Sequence, residues 1–256
     1  MFEARIKQGA LIKKLVDAIK ELSNEANWDV DEKGIRMQGM DSSHVCLISF
    51  DLDAAKFDHF SCDKSHTIGI NLLNLSKILK CSSSEDVLVM KLNEDSDELS
   101  FVFEAEDRRS DFTLKLMEIE CEQLGIPENQ EYDVTAELPS ADYARIVRDL
   151  STIGENLVVS GGVDEVPYIK LSTSGEIGSA SMTLRGSADS DSIVVNKATD
   201  QSFSARYLSS FSKGSTLSGT TVISMSKDAP VCVHFAVGEI GYLKYYLAPK
   251  IEDEEE

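Results

Sequence analysis

The sequence predicts an α+β fold made of two similar domains, and three observations lead there. One order of strands and helices occurs twice at a shift of about 130 residues, a polar segment joins the two runs, and the predicted helices gather their basic residues on one face. The first run opens with a strand from Phe2 to Ile6. A helix from about Gly9 to Leu22 follows, because Leu11, Ile12, Leu15, Val16, Ile19 and Leu22 recur on one helical arc. The stretch from Asp29 to Leu52 reads as strands, punctuated by Gly34 and the Asp41-Ser42-Ser43 cluster. Asn71 caps a second helix, Leu72 to Lys80, since its side chain can accept from first-turn amides. Strands at Asp86 to Leu92, Leu99 to Phe103 and Phe112 to Met117 complete the run.

Residues 1–117 are thus expected to form one domain, and 118–131, with Gly125 and Pro127, an extended connector. Residues 132–256 repeat the pattern and close with the acidic run Glu252-Asp253-Glu254-Glu255-Glu256. Their first strand is Tyr132 to Leu138, one helix follows the cap Ser140, a shorter one follows Ser204, and strands continue to Leu247. Each run has few helices and many strands, so antiparallel sheets should cover one side of each helix pair.

Composition narrows the function. A chain of 256 residues with 42% apolar content divides more comfortably into two cores than one. Cys46, Cys62, Cys81, Cys121 and Cys232 are odd in number and lack a C-x-x-C pair, which argues against a disulfide framework and a zinc site. There is no apolar run long enough for a membrane span and no signal-peptide core at the start, so a soluble protein of the cell interior is expected.

The formal net charge is -20, from 45 acidic and 25 basic residues, so any contact with a polyanion must be locally basic. The predicted helices supply such places. Lys13 and Lys20 share a face of the first helix, with Lys14 to one side and Asp17 the lone carboxylate between them. Lys77 and Lys80 lie one turn apart on the second. Arg145 and Arg148 oppose Tyr143, Val147 and Leu150 on the third, with Asp142 and Asp149 diluting the charge, and Arg206 and Lys213 share a side of the fourth. With Lys64, these residues form the candidate DNA-contacting set. Acidic residues gather elsewhere, in 94–98, 104–107 and 118–122. With no helix-turn-helix, zinc-finger spacing or aromatic platform, contact would be to phosphates and independent of base sequence.

No reaction is legible. Ser-x-x-Lys occurs at Ser61/Lys64, Ser210/Lys213 and Ser224/Lys227 without the companion motifs of serine-lysine hydrolases. His44 beside Asp41 and Ser42 is too close in sequence for triad geometry. Acidic loops such as Asp189-Ser190-Asp191 lack the calcium-loop pattern, and no phosphate-binding glycine loop occurs. We expect no catalytic residue, no metal and no cofactor.

Several long stretches resemble the proliferating cell nuclear antigen family, the eukaryotic DNA sliding clamps. They are Met40-Asp41-Ser42-Ser43-His44-Val45, the segment from Cys62 to Lys80, Glu122-Gln123-Leu124-Gly125-Ile126-Pro127, Arg145 to Leu150, and Leu243 to Ile251. The resemblance covers nearly the whole chain. It implies a homotrimeric ring around duplex DNA, with helices lining the hole and sheets outside, that serves a replicative polymerase as processivity factor. Implied partners are two further copies of the chain, a clamp loader, and replication and repair proteins carrying a clamp-interacting peptide; the implied location is the nucleus.

By the same resemblance, Asp111, Phe112, Leu114 and Leu116 of one subunit would meet Ile177, Ser179, Ala180 and Ser181 of the next. A partner-peptide groove would involve Met40, His44, Val45, Leu47, Gln123, Leu124, Ile126, Pro230, Tyr246, Ala248, Pro249 and Ile251. A divergent paralogue in a heterotrimeric checkpoint ring is the alternative, and the intact connector and groove argue against it. The sequence departs from the family where a lysine usually accepts ubiquitin or SUMO: Val163 stands there, and the next lysine is Lys170. The loop from Arg185 to Asn196 also reads as shorter than usual.

Overall fold

A computed structural model describes residues 1–94, 96–120, 131–186 and 192–250. The first half runs β1 (Phe2–Ile6), α1 (Ala10–Ile19), β2 (Glu25–Asp31), β3 (Gly34–Met40), β4 (Cys46–Asp53), β5 (His59–Cys62), β6 (His66–Asn71), α2 (Leu72–Leu79), β7 (Val87–Leu92), β8 (Glu98–Glu104) and β9 (Arg109–Lys115). The second runs β10 (Val134–Pro139), α3 (Ser140–Ser151), β11 (Asn156–Val163), β12 (Pro167–Gly175), β13 (Gly178–Arg185), β14 (Ile193–Val195), β15 (Thr199–Ser204), α4 (Ala205–Phe211), β16 (Thr220–Met225), β17 (Val231–Val237) and β18 (Gly241–Leu247). Short 3-10 turns at Ala54–Lys56 and Ser212–Thr216 complete the elements.

The duplication is element for element. Strand order β5-β1-β7-β8-β9 in the first half is matched by β14-β10-β16-β17-β18 in the second, and β4-β3-β2-β6 by β13-β12-β11-β15. The fold is α+β with antiparallel sheets, as the sequence predicts. The chain divides into two compact units, Met1–Gly125 with Ala236–Leu243, and Ile126–Phe235 with Lys244–Glu256.

In the first unit, α1 buries Ile12, Leu15, Val16 and Ile19, while α2 buries Leu72, Leu75 and Leu79. Full burial of each such side chain contributes about 1.5–3 kcal/mol. The sheets answer with Phe2, Trp28, Phe50, Phe101 and Phe103, all buried. The Asn71 side chain accepts from the Asn74 amide at 2.9 Å, the cap that the sequence signals. After β9 the chain turns back over β6: the Met117 amide donates to the Gly69 carbonyl at 3.0 Å, and Asn27 donates to the Ile119 carbonyl at 2.9 Å. A Cβ on Gly69 would stand 1.9 Å from the Met117 oxygen, so the close approach requires glycine.

In the second unit, α3 buries Tyr143, Ile146, Val147 and Leu150, and α4 buries Tyr207, Leu208 and Phe211. The Phe211 and Tyr245 rings stack with centroids 4.4 Å apart. The α3 cap differs from expectation. Ser140 is the first helical residue, after Pro139, and its hydroxyl is spent in a buried 2.6 Å hydrogen bond with Thr221. Proline's fixed φ orders the entry into that helix, leaving the serine free to tie it to β16.

Candidate nucleic-acid and partner surfaces

The basic helix faces emerge from local periodicity. Burying the apolar arcs of α1 and α2 turns the remaining positions outward, and Lys14, Lys77 and Lys80 are exposed there, with Lys13 half-buried. Among the described residues no carboxylate lies within ion-pair distance of these four lysines. Lys77 reaches only the neutral Asn74 side chain, at 3.2 Å.

Lys20 behaves differently. It ends α1, is only 17% exposed, and its ammonium pairs with Asp17 and donates to Ser76 of α2 at 3.0 Å. The i,i+3 carboxylate and the neighbouring helix have made it a tie between α1 and α2 rather than a projecting charge. Lys64 also departs from expectation, because it lies in the β5–β6 turn, at the end of β6 remote from α2. Residues flanking it are engaged with the chain terminus, where Asp63 sits 3.6 Å from the Met1 ammonium.

In the second unit Arg145 and Arg148 are exposed on α3, each with a local partner: Arg145 to Asp142 at 2.9 Å and Arg148 to Asp149 at 3.3 Å. Arg206 is exposed on α4, its guanidinium 5.4 Å from the centre of the Tyr207 ring. Lys213 lies beyond α4 in the 3-10 turn Ser212–Thr216, still exposed.

Each unit also ends a sheet order with an open strand. On β13, Ala180, Met182 and Leu184 sit opposite the buried Thr173, Leu171 and Ile169, yet remain half-exposed. On β9, Phe112 and Leu114 sit opposite the buried Phe101 and Leu99, with Phe112 half-exposed. Among the described residues each strand is therefore an edge with free main-chain groups, with Phe112 on β9 and the Ala180, Met182 and Leu184 row on β13 short of cover. Asp111 is exposed, held by Arg109 at 3.0 Å, while Leu116 follows β9 and donates its amide to Asp97 at 2.8 Å. Ser179 and Ser181 are exposed, and Ile177, at the β12–β13 turn, is 79% exposed.

The groove residues fall into three groups. In the first unit, Met40 ends β3 and pairs with Leu47 of β4, and the turn between them carries His44 and Val45. The turn is built by Asp41, whose buried carboxylate accepts the amides of Ser43, Val45 and Cys46 at 3.0, 2.9 and 2.8 Å. His44 takes a left-handed φ of 56° within it, and its amide donates to the Asp41 carbonyl. A non-glycine residue there costs about 1–2 kcal/mol, which the carboxylate's hydrogen bonds offset. In the second unit, Pro230 and Ala248 are exposed, and Tyr246 and Pro249 half-exposed; Lys250 anchors the segment by donating its amide to Ser202 at 2.8 Å. Gln123, Leu124, Ile126 and Ile251 lie outside the described residues.

Ser210 donates to the Arg206 carbonyl at 3.0 Å, and Ser224 is buried in β16 beside Thr135. Among the described residues no cluster of His, Cys, Asp and Glu is arranged to hold a metal. Burial pushes the Cys46 thiol up, with the Asp41 carboxylate adding to it, and pushes Cys232 up to about 11, so neither is a ready nucleophile.

Two family models span the duplication. One described as Proliferating cell nuclear antigen, N-terminal domain, matches residues 1–124, and one described as Proliferating cell nuclear antigen, C-terminal domain, matches residues 125–250. The class is that of the DNA sliding clamps, non-enzymatic scaffolds that act on DNA and bind partner proteins. The chain belongs to the proliferating cell nuclear antigen family.

Proposed function

We propose that three copies of the chain close into a ring around duplex DNA and act in the nucleus as processivity factor for a replicative polymerase and as a platform for replication and repair proteins. The observation that supports this reading best is the pair of open edges. Among the described residues strand β9 and strand β13 each lack a neighbour on one side, and each leaves apolar side chains under-covered, Phe112 on β9 and Ala180, Met182 and Leu184 on β13, so β9 of one copy can pair with β13 of the next. Such a head-to-tail contact uses two different patches and closes into a ring when the rotation per copy allows it. Asp111, Phe112, Leu114 and Leu116 would then meet Ile177, Ser179, Ala180 and Ser181.

In that ring Lys13, Lys14, Lys77, Lys80, Arg145, Arg148, Arg206 and Lys213 contact phosphates. Their charges act without reading bases, which suits a protein that must slide. The Asp41 turn, presenting His44 and Val45, contributes with the connector and the segment around Pro249 to a groove for the clamp-interacting peptide. An apolar anchor in a groove is the mode such peptides use.

Light scattering on the eluting protein tests the assembly. We expect a mass near three times 28.2 kDa. A mass near one chain, or rings that form only when other clamp subunits are added, would refute the homotrimer, the second outcome favouring the checkpoint-ring paralogue.

A further inference from the structure

The loop between α2 and β7 carries three consecutive serines followed by two acids, Ser82-Ser83-Ser84-Glu85-Asp86. The serines are not equivalent. Ser82 spends its hydroxyl on the Leu79 carbonyl at 2.7 Å, and Ser84 turns toward Glu85 at 3.2 Å. Ser83 is exposed, and its hydroxyl oxygen lies 3.2 Å from Nη2 of Arg108, which reaches across from the β8–β9 turn.

That arginine is held in place from behind. Asp86 is only 3% exposed and accepts Arg108 Nη2 on both carboxylate oxygens at 2.9 Å, while a further oxygen contact comes from the Ser83 amide at 2.9 Å. The β8–β9 turn is closed by the Ala105 amide donating to the Arg108 carbonyl at 2.8 Å. The Arg108 side chain makes its contacts through Nη2, so its Nη1 and Nε donors are without a partner among the described residues. The side chain is 49% exposed. An ordered guanidinium with unspent donors beside an exposed serine hydroxyl is the arrangement that captures a phosphate by paired, charge-assisted hydrogen bonds.

We propose that Ser83 is a phosphorylation site, modified by an acid-directed serine kinase and held by Arg108 once modified. The acids that follow, Glu85 exposed at the second position and Asp86 at the third, form the acidic run that such a kinase reads. The Ser83 oxygen forms a bond to the terminal phosphorus of ATP as the bridging bond to ADP breaks, and the hydroxyl proton passes to the kinase's base. The added charge of about −1.5 to −2 stands three residues from Lys80 and six from Lys77, on the loop that leaves α2. It therefore counters the uncompensated positive face of that helix. This consequence rests on the proposed DNA-contacting role of α2, whereas the modification and its capture do not.

The test has two arms on the full chain. Treated with casein kinase II and ATP, the protein should gain one phosphoryl group, placed on Ser83 by peptide fragmentation. Ser83→Ala should abolish it and Ser84→Ala should retain it. No incorporation, or incorporation that persists in Ser83→Ala, overturns the site. For the capture, phosphoserine is installed at 83 during synthesis and titrated by 31P NMR. The second phosphate ionisation should fall below its ordinary value of about 6 and return toward it in Arg108→Gln, with Arg108→Lys intermediate. Circular dichroism confirms that each variant is folded. Identical titration in all three chains overturns Arg108 as the partner, whatever happens to DNA binding.

Discussion

The two units build the same framework and charge it differently. On α1 and α2 the exposed cations are lysines with no carboxylate in reach among the described residues, whereas Lys20, which pairs with Asp17, is withdrawn into the contact with Ser76. On α3 the cations are arginines, each beside its own aspartate. The first arrangement leaves full charges on compact, strongly hydrated ammoniums, while the second offers planar guanidiniums whose field is partly cancelled. A duplicated scaffold can thus keep its packing and still divide electrostatic work unequally between its halves.

Removing the lysines should break this comparison most visibly. Replacing Lys13, Lys14, Lys77 and Lys80 together by Gln should lower the slope of log affinity for duplex DNA against log salt by up to roughly 3 to 4 per subunit of the ring, since each phosphate contact contributes about 0.9. The Arg145→Gln/Arg148→Gln pair should lower it by less than about 2 per subunit. Titration at several salt concentrations reads both, and equal slopes per residue removed would erase the distinction between the units.

The corresponding turns of the two units offer a second contrast. Between β3 and β4 the turn is pinned by the buried Asp41 carboxylate, whereas between β12 and β13 the turn residues Glu176 and Ile177 are flanked by Gly175 and Gly178, the latter at φ 138°. Asp41→Ala leaves three amides without their acceptor, so it should cost about 2–3 kcal/mol and speed hydrogen exchange at Val45 and Cys46. Gly178→Ala acts by backbone strain at an exposed turn and should cost about 1 kcal/mol. Urea unfolding with amide exchange separates the two.

Lys20→Met should destabilise by about 1–2 kcal/mol, because it leaves Asp17 and Ser76 without their shared donor. Lys14→Met, fully on the surface, should stay within about 0.5 kcal/mol. The smallest effect concerns pH. Burial, aided by the terminal ammonium and Lys64, holds His66 below its ordinary value, and burial aided by Lys244 does the same for His234. In the window below about pH 6.5 the unfolded chain binds more protons at these sites, so stability falls as pH falls. His66→Gln and His234→Gln should each flatten that acid limb, by less than about 1 kcal/mol at pH 5, as followed by thermal unfolding against pH.

Much of the fold was legible because its signals are local. Apolar periodicity marked all four helices, Asn71 announced its cap, and repetition exposed the two-domain plan. What escaped the sequence depends on neighbours distant along the chain. Ser140 reads as a cap until Thr221 takes its hydroxyl, and Lys20 reads as a projecting cation until Ser76 of another helix receives it. Lys213 shares a helical face only if α4 continues, yet the chain tightens into a 3-10 turn after Phe211. Arg108 and Ser83 stand 25 residues apart, and only the packing of the β8–β9 turn against the α2–β7 loop brings them together. Likewise, residues 236–243 belong to the first unit although they interrupt the second in sequence, a placement seen where a Cβ on Gly241 would meet the Asp51 oxygen at 1.9 Å.

Topology on DNA tests the central claim most directly. The protein, loaded by a clamp loader onto nicked circular duplex and separated from free protein by gel filtration, should stay with the circle through a high-salt wash. Cutting the circle once should release it by sliding off the ends. Loss in the salt wash before cutting, or retention on the linear product, would contradict a ring that encircles the duplex.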